Sequence, residues 1–339
     1  MYPALLSSAT IGKYAISNKV VMSPVHTKRR APGGIPDDAM VEYYSQRAGA
    51  GLIIAEGAGP SENGMGHAHM PGIYSREQIT GWKRVTDAVH ANDGRIFLQL
   101  MHTGRIAHPA NMPAKTEILA PSAISAKGEI WTDSHGWQPH PTPRAMTTKE
   151  VEQMVKQYVK AATQAIAAGF DGVEIQAANG YLPDQFLHPS TNKRTDKYGG
   201  NIANRVRFVL EIVAAVSSAI GKDKTGIRLS PYSIINDLQH HNEIDATYEY
   251  LADALDVYSP SYIHLVDDEI PAMLLAGIRA RFRGTLILNG NFDATSAEHT
   301  VKNGLADLVA FDNPCQSAPG VLGPKEKVIA GKKFSCCVN

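Results

Sequence analysis

Side chains capable of acid–base chemistry and hydrogen bonding stand at the ends of eight short apolar runs in this sequence. The terminal residues read HTK (26–28), EG (56–57), QLMH (99–102), QAANGY (176–181), RLS (228–230), HLVDD (264–268), NGN (289–291) and DN (312–313). In a barrel of parallel strands the carboxyl ends meet at one face, and barrel enzymes place their active sites there. The pattern therefore predicts one polar site assembled from many separate segments.

The apolar runs have the length and composition of buried strands. They cover 19–25, 51–58, 95–102, 172–178, 225–231, 262–268, 285–291 and 306–311, and stretches with helical periodicity lie at 75–92, 147–169 and 201–221. Ser75 and Thr147 each begin a capping-box pattern. Near-continuous apolar strands that alternate with amphipathic helices indicate a parallel sheet covered by helices. Eight such units predict an α/β fold, a closed (β/α)8 TIM barrel that forms a single domain over residues 1–339.

Residues 103–147 interrupt this alternation. The segment is rich in Pro, Gly and His, contains Trp131 and Trp137, and shows no sustained period. Long segments of this kind in a compact domain commonly serve as lids or binding elements. Because it follows the third strand, it is predicted to lie over the mouth of the barrel.

Composition narrows the class of protein and of partner. The chain has 339 residues, 43% of them hydrophobic, and Lys+Arg and Asp+Glu both number 33. A formal charge of zero argues against nucleic acid or an anionic membrane as the main partner. Three cysteines, Cys315, Cys336 and Cys337, cannot form a disulfide framework, and the sequence lacks both a signal-peptide pattern and a long apolar run. These features predict a cytoplasmic protein without a membrane span, and no ligand spacing points to a metal.

Several long stretches resemble one family, the old yellow enzymes, which are FMN-dependent NAD(P)H ene-reductases. They are NKVVMSPV (18–25), PGIYSREQITGWKRVTDAVHANDGRIFLQLMHTGR (71–105), PTPRAMTT (141–148), AGFDGVEIQAANGYLPDQFLHPSTNKRTDKYGGNIANR (168–205) and GIRLSP (226–231). The resemblance runs from near the N-terminus to about residue 315. It implies a barrel with FMN at its mouth, reduced by NAD(P)H, that transfers hydride to the β-carbon of an α,β-unsaturated carbonyl compound.

The resemblance also implies which residues bind the cofactor. Arg228 matches the arginine beside the flavin N1/O2 edge, where a fixed cation stabilises negative charge. Gln99 matches the amide that hydrogen-bonds the flavin ring. Backbone positions are implied near the ring at Pro24, Val25 and Gly57, and near the phosphate at Gly290 and Asn291.

The implied catalytic residues include several departures from the family pattern. Tyr181 matches the proton donor, and Asn179 matches one of the two residues that hold the carbonyl oxygen. Gln176 stands where the second of these is usually His, and two amides still provide two donors to an oxyanion. The remaining substitutions place His26 where the family has Thr or Cys, and Met101, next to His102, where it usually has Trp. Met101 is predicted to widen the substrate pocket.

The largest departure lies after the eighth strand, where the family has Gly-Arg and this chain has Asp312-Asn313. Loss of a charge-assisted phosphate contact costs about 1.5–3 kcal/mol. A carboxylate near the phosphate adds roughly 1–2 kcal/mol at an effective dielectric of about 20. The sum, about 3–5 kcal/mol, corresponds to roughly 10²–10⁴-fold in affinity. FMN is therefore expected to bind weakly or to be lost, and the chain also ends early, in GKKFSCCVN, without the family's aromatic tail.

Two hypotheses of function follow, with a non-catalytic binding protein as a weaker third. In the favoured one the protein remains an ene-reductase for a large unsaturated carbonyl compound of secondary metabolism. In the alternative it has lost flavin and acts as a redox-neutral isomerase or cyclase, with His26, Tyr181 and Arg228 in acid–base roles. A visible spectrum of the purified protein distinguishes them.

Overall fold

The structure is a computed structural model that describes residues 2–25, 32–266 and 269–312, together with two short paired strands, Lys327–Ile329 and Lys332–Phe334. Two of the predicted site residues, His26 and Asn313, lie outside the described residues. So do the three cysteines.

Eight parallel strands form a closed barrel, as predicted. We number them β1 to β8 along the chain: Val20–Met22, Leu52–Ala58, Ile96–Leu100, Gly172–Ala177, Thr225–Leu229, Tyr262–Val266, Thr285–Asn289 and Leu308–Phe311. Each strand pairs with its neighbours in sequence, and β8 pairs with β1 to close the sheet. Six strands end before the predicted runs do, because the polar residues at their carboxyl ends turn into loops, whereas β2 and β8 end as predicted and begin one or two residues later.

Eight α-helices, α1 to α8, lie within the described residues. They span Asp38–Ser45, Arg76–His90, Thr148–Ala167, Leu182–Leu187, Ile202–Ile220, Ile244–Tyr258, Ala272–Arg281 and Ala294–Lys302. The three predicted helices correspond to α2, α3 and α5. Both predicted capping boxes form, at Ser75 before α2 and at Thr147 before α3, so that side chains satisfy the first free amides of each helix.

The apolar core lies mainly between the strands and the helices that cover them, and a second cluster closes the amino-terminal end of the barrel. A hairpin of Ala9–Ile11 and Tyr14–Ile16 contributes Ile11 and Ile16 to this second cluster. The Tyr14 hydroxyl donates to the carbonyl oxygen of Asp171 at 2.9 Å, just before β4. Because this end is packed with apolar side chains, the carboxyl end is left for chemistry.

The 103–147 segment contains short regular elements. Glu129–Thr132 and Gly136–Pro139 pair antiparallel and form a hairpin that we call the outer hairpin. Arg105, only 2% exposed, donates to the carbonyl oxygens of Ser125, Asn236 and Asp237. It thereby fixes the segment to the loop that follows β5. The strands are two to four residues long, which is too short to produce a period in the sequence.

No helix in the described part of the chain is long and apolar enough to cross a membrane. Over the same residues, no group of three or more His, Cys, Asp or Glu side chains is placed to hold a metal ion.

Candidate active site

The segment that follows β4 has an unusual backbone. Asn179 and Gly180 adopt positive φ angles of 56° and 75°, a left-handed conformation that Asn and Gly accept more readily than other residues. The Asn179 amide N–H donates to the Ser230 hydroxyl at 2.7 Å, and its carbonyl oxygen accepts from the Asn236 side chain at 2.7 Å. The turn is thus held by the loop after β5, which fixes the direction of the Asn179 side chain.

Gln176 and Asn179 each carry a buried amide group that is not fully paired. Gln176 is 3% exposed, and the side-chain oxygens of both residues have no hydrogen-bond partner among the described residues. A primary amide has two donors and one acceptor, and a buried polar group without a partner costs free energy. The unpaired oxygens are acceptors, whereas the nitrogens of the same two amides are donors, so this turn offers a ligand hydrogen-bonding groups of both kinds.

Tyr181 stands at the end of the same turn, partly buried beside a methionine cluster of Met65, Met70 and Met101. Burial raises the pKa of the Tyr181 hydroxyl, although a hydrogen bond with Asn236 and the charge of Arg228 oppose the shift. His67 Nε2 lies 3.1 Å from the hydroxyl oxygen. The phenol therefore keeps its proton at neutral pH and is held at two sides, as a proton donor requires.

A buried acid–base network occupies the barrel interior beneath this turn. Gln99 donates to Glu174 Oε1 at 2.8 Å, and His264 Nδ1 lies 2.9 Å from Glu174 Oε2. Burial opposes the charged form of Glu174, but His264 and Arg228 together lower its pKa. Burial also lowers the pKa of His264, so a neutral imidazole donates its Nδ1 proton to the carboxylate. The network holds the Gln99 amide in one orientation.

Arg228 lies at the end of β5 and is 5% exposed. Its Nη2 donates to Asn289 Oδ1 at 2.9 Å, while its Nε has no partner among the described residues. Burial lowers the pKa of the guanidinium, and the negative charges of Glu174 and Asp312 oppose this shift. A buried cation with a free donor at the mouth of the barrel fits an electron-rich ring edge.

The other residues predicted near the ring lie at the ends of β1, β2 and β3. Pro24 and Val25 are partly buried directly after β1. Met101 lies against Gly57, where an added Cβ would come within 2.7 Å of the methionine Cε. His102 is fully buried, which lowers its pKa to about 3, and its Nδ1 accepts from the Gly104 amide at 3.1 Å. In this structure His102 thus supports the loop backbone.

The predicted phosphate end lies beyond β7 and β8, beside a cavity of about 350 Å³. Gly290, Asn291 and Asp312 line this cavity together with Asn179 and Glu269. Asp312 Oδ1 accepts from Asn289 Nδ2 at 3.3 Å. None of the described residues that line the cavity is a Lys or Arg. The described part of its walls thus carries two carboxylates and no permanent cation.

The two ends of the site differ in how well they fit FMN. At the ring end, the free Nε of Arg228 and the fixed amide of Gln99 match the hydrogen-bonding edge of a flavin. At the phosphate end implied by the resemblance, the described residues supply the carboxylate of Asp312 and no Lys or Arg. The groups of the ring end therefore suit the cofactor, whereas the described residues of the phosphate end provide no cation for it.

Two features of the site were missed by the analysis of the sequence. His67 contacts Tyr181 from 114 residues away, and His264 pairs with Glu174 from 90 residues away. For His67 no local pattern could have signalled the contact. His264 belongs to the polar strand ends predicted from the sequence, but its pairing with Glu174 had no signal there.

A closed parallel barrel with a buried guanidinium, two amides and a phenol at its carboxyl end is the arrangement expected of a barrel oxidoreductase. Residues 5–321 match the NADH:flavin oxidoreductase / NADH oxidase family. The chain belongs to this family, which includes old yellow enzyme, and it is an oxidoreductase of the ene-reductase type. The family is FMN-dependent, and the expected resemblance is confirmed.

Named relatives cover nearly the whole chain. A probable flavin mononucleotide-dependent alkene reductase of Leishmania infantum is 37% identical, over 96% of this chain and 90% of that protein. Putative 12-oxophytodienoate reductase 11 of Oryza sativa subsp. japonica is 38% identical, over 93% and 88%. Morphinone reductase in complex with tetrahydroNAD superposes with a TM-score of 0.89 at 41% identity, over 94% and 89%. The old yellow enzyme homologue from Zymomonas mobilis gives 0.88 at 35% identity, over 92% and 89%.

Proposed function

We propose that this protein reduces the C=C bond of α,β-unsaturated carbonyl compounds with NAD(P)H. One alkene, one NAD(P)H and one proton give one saturated carbonyl compound and one NAD(P)⁺. The observation that carries this proposal is the segment 176–181, where two side-chain amides, each with two N–H donors, accompany a phenol that keeps its proton. The reaction requires these functions, because negative charge develops on the carbonyl oxygen and a proton must reach the α-carbon.

In this proposal the side chains of Gln176 and Asn179 donate to the substrate carbonyl oxygen and stabilise its developing charge. Tyr181 gives its proton to the α-carbon. His67 and Asn236 hold the phenol in position, and burial by the methionine cluster excludes water. The left-handed turn at Asn179 fixes the distance between donors and phenol before substrate arrives, so little reorganisation is needed.

Arg228 and Gln99 would hold the flavin ring, since both are buried and each is held by a hydrogen bond, to Asn289 and to Glu174 respectively. Flavin, when bound, accepts a hydride from the nicotinamide and delivers one to the alkene. The Glu174–His264 pair supports this arrangement by fixing the amide of Gln99.

We further propose that FMN is held less tightly here than the ring contacts alone would allow. The support is the pair of carboxylates, Asp312 and Glu269, in a cavity whose described lining carries no Lys or Arg. The redox-neutral alternative, in which the barrel no longer binds flavin, receives no support from the relatives.

The substrate is proposed to be a large unsaturated carbonyl compound, such as a secondary metabolite, because Met101 leaves room where the family usually has Trp.

The decisive experiment measures alkene reduction by the flavin-free protein with and without added FMN. Protein freed of small molecules is mixed anaerobically with NADH or NADPH and a simple enone, with and without FMN. Saturable dependence of alkene reduction on FMN is expected. Enone turnover at the full rate without any flavin would contradict the proposed function.

Asn179 provides a test of the carbonyl-binding role. Asn179→Gly should lower the rate of alkene reduction by about 10- to 10²-fold, because one hydrogen bond to a charged oxygen is lost. Glycine is chosen because it accepts the φ of 56°, whereas alanine would add backbone strain. The melting temperature should stay within a few degrees. A large fall in stability without a specific rate defect would assign Asn179 a structural role only.

A further inference from the structure

A second cavity, which we call the outer cavity, adjoins the active site. Its volume is about 470 Å³, and its walls include His67, Ile106, Trp131, Trp137 and Asn236. Ligand-binding cavities in proteins commonly fall within this range of volume and combine apolar walls with a few polar groups. Its position and chemistry suggest a role in binding.

The outer cavity shares two wall residues with the catalytic segment. His67 lines the cavity and has its Nε2 3.1 Å from the Tyr181 hydroxyl. Asn236 lines it and donates to the carbonyl oxygen of Asn179 at 2.7 Å. The cavity therefore begins at side chains that contact the phenol and the catalytic turn directly.

Two tryptophans expose aromatic surface at this cavity. Trp131 and Trp137 face each other across the outer hairpin, with ring centroids 5.8 Å apart and planes at 76°. They are 47% and 61% exposed, whereas Ile130 beside them is 5% exposed. Large aromatic surfaces left in water next to an active site are typical of ligand contacts.

Hydrogen bonds fix the outer hairpin in place. Asp133 Oδ1 accepts from Trp131 Nε1 at 3.3 Å and lies 3.0 Å from His69 Nε2. Asn111 donates to the carbonyl oxygens of both Gly66 and Trp131. A wall that is ordered before binding loses little entropy when a ligand arrives.

The charges around the outer cavity select the kind of ligand. Glu129 lines it and Asp133 lies beside it, and none of the described lining residues is a Lys or Arg. Phosphate groups would meet carboxylates without a permanent cation, which disfavours the dinucleotide part of NAD(P)H. A planar and uncharged ring system is favoured instead.

We propose that the outer cavity binds an aromatic group that the substrate carries on its double bond, at the end remote from the carbonyl group. This inference rests on the proposed ene-reductase function and assigns its substrate class: aryl-substituted unsaturated ketones and aldehydes. Trp137 stacks on this aromatic group, while Tyr181, Gln176 and Asn179 act on the enone.

The experiment compares two ketones that differ only at the end remote from the carbonyl. One is 4-(2-naphthyl)but-3-en-2-one, and the other is pent-3-en-2-one, in which methyl replaces the naphthyl group. In the FMN-loaded enzyme, Trp137→Ala should raise the KM of the naphthyl ketone by about tenfold, because stacking and buried apolar area are lost. The KM of pent-3-en-2-one should not change. Trp137→Phe should restore most of the affinity, and Tyr258→Ala, at an exposed aromatic residue of α6, serves as the matched control.

A binding measurement without turnover accompanies the kinetics. The chain has three tryptophans, and Trp82 is fully buried in the core. The naphthyl ketone should therefore quench the tryptophan fluorescence of the wild-type protein saturably, and it should quench less strongly in the double variant Trp137→Phe/Trp131→Phe.

Equal KM changes for both ketones, or none, would overturn the proposed subsite while leaving the ene-reductase function intact. A rise in the KM of NAD(P)H alone would assign the cavity to the dinucleotide. Failure of the wild type to reduce either ketone would instead refute the proposed function.

Discussion

Replacing Asp312 by glycine and Asn313 by arginine should tighten FMN binding by about 10²- to 10⁴-fold, because repulsion is removed and a phosphate contact is gained. The structure shows how Asp312 is connected to the rest of the site. Asn289 Nδ2 donates to Asp312 Oδ1, and Asn289 Oδ1 accepts from Arg228 Nη2. The carboxylate is therefore the last group in a chain of hydrogen bonds that begins at the ring end of the site. The affinity is measured by quenching of flavin fluorescence.

Two controls separate the contributions to this gain. Riboflavin lacks the phosphate, so its affinity should be almost unchanged in the double variant. Asp312→Asn removes the charge but keeps an oxygen that can accept from Asn289, and it should tighten FMN by about 5- to 30-fold. Equal gains for FMN and riboflavin would show that the substitutions repair the cavity in general, and unchanged FMN affinity would refute the phosphate argument.

Tyr181→Phe should lower the rate of alkene reduction by roughly 10²- to 10⁴-fold, which is the usual contribution of a general acid. The ring remains, so packing against Met65, Met70 and Met101 is retained and only the hydroxyl is lost. Reduction of the bound flavin by NAD(P)H needs no proton from this phenol, so the rate of this half-reaction should be nearly unchanged. Stopped-flow absorbance follows the two half-reactions separately.

The outcome for the two half-reactions decides the role of Tyr181. A defect confined to the reaction with the alkene supports a proton donor. If both half-reactions slowed equally, Tyr181 would instead be a residue that shapes the whole site. The pH profile of the wild type should show no loss of activity from ionisation of this phenol near neutrality, because burial raises its pKa.

The barrel could be predicted from the sequence because its signals are local. The eight strands are apolar over lengths of three to seven residues, and Ser75 and Thr147 mark helix starts through contacts three residues away. The polar strand ends were predictable as a set, since parallel strands bring their carboxyl ends together.

The contacts within the site could not be predicted in the same way. Glu174 and His264 lie on strands separated by β5, and only the closed barrel brings their side chains within 2.9 Å. His67 reaches Tyr181 from an irregular segment that has no period. The facing pair of Trp131 and Trp137 depends on the register of the outer hairpin, which strands of four residues do not reveal in advance.

Arg105 has a consequence for anyone who exchanges loops between relatives. A single guanidinium binds carbonyl oxygens of the 103–147 segment and of the loop after β5, at Ser125, Asn236 and Asp237. A chimera that imported only one of these loops would leave a buried cation without part of its acceptors, a defect that costs more than a lost surface contact. The two loops therefore form one structural unit, and a chimera should keep its stability only when it receives both, with Arg105 carried by the 103–147 segment.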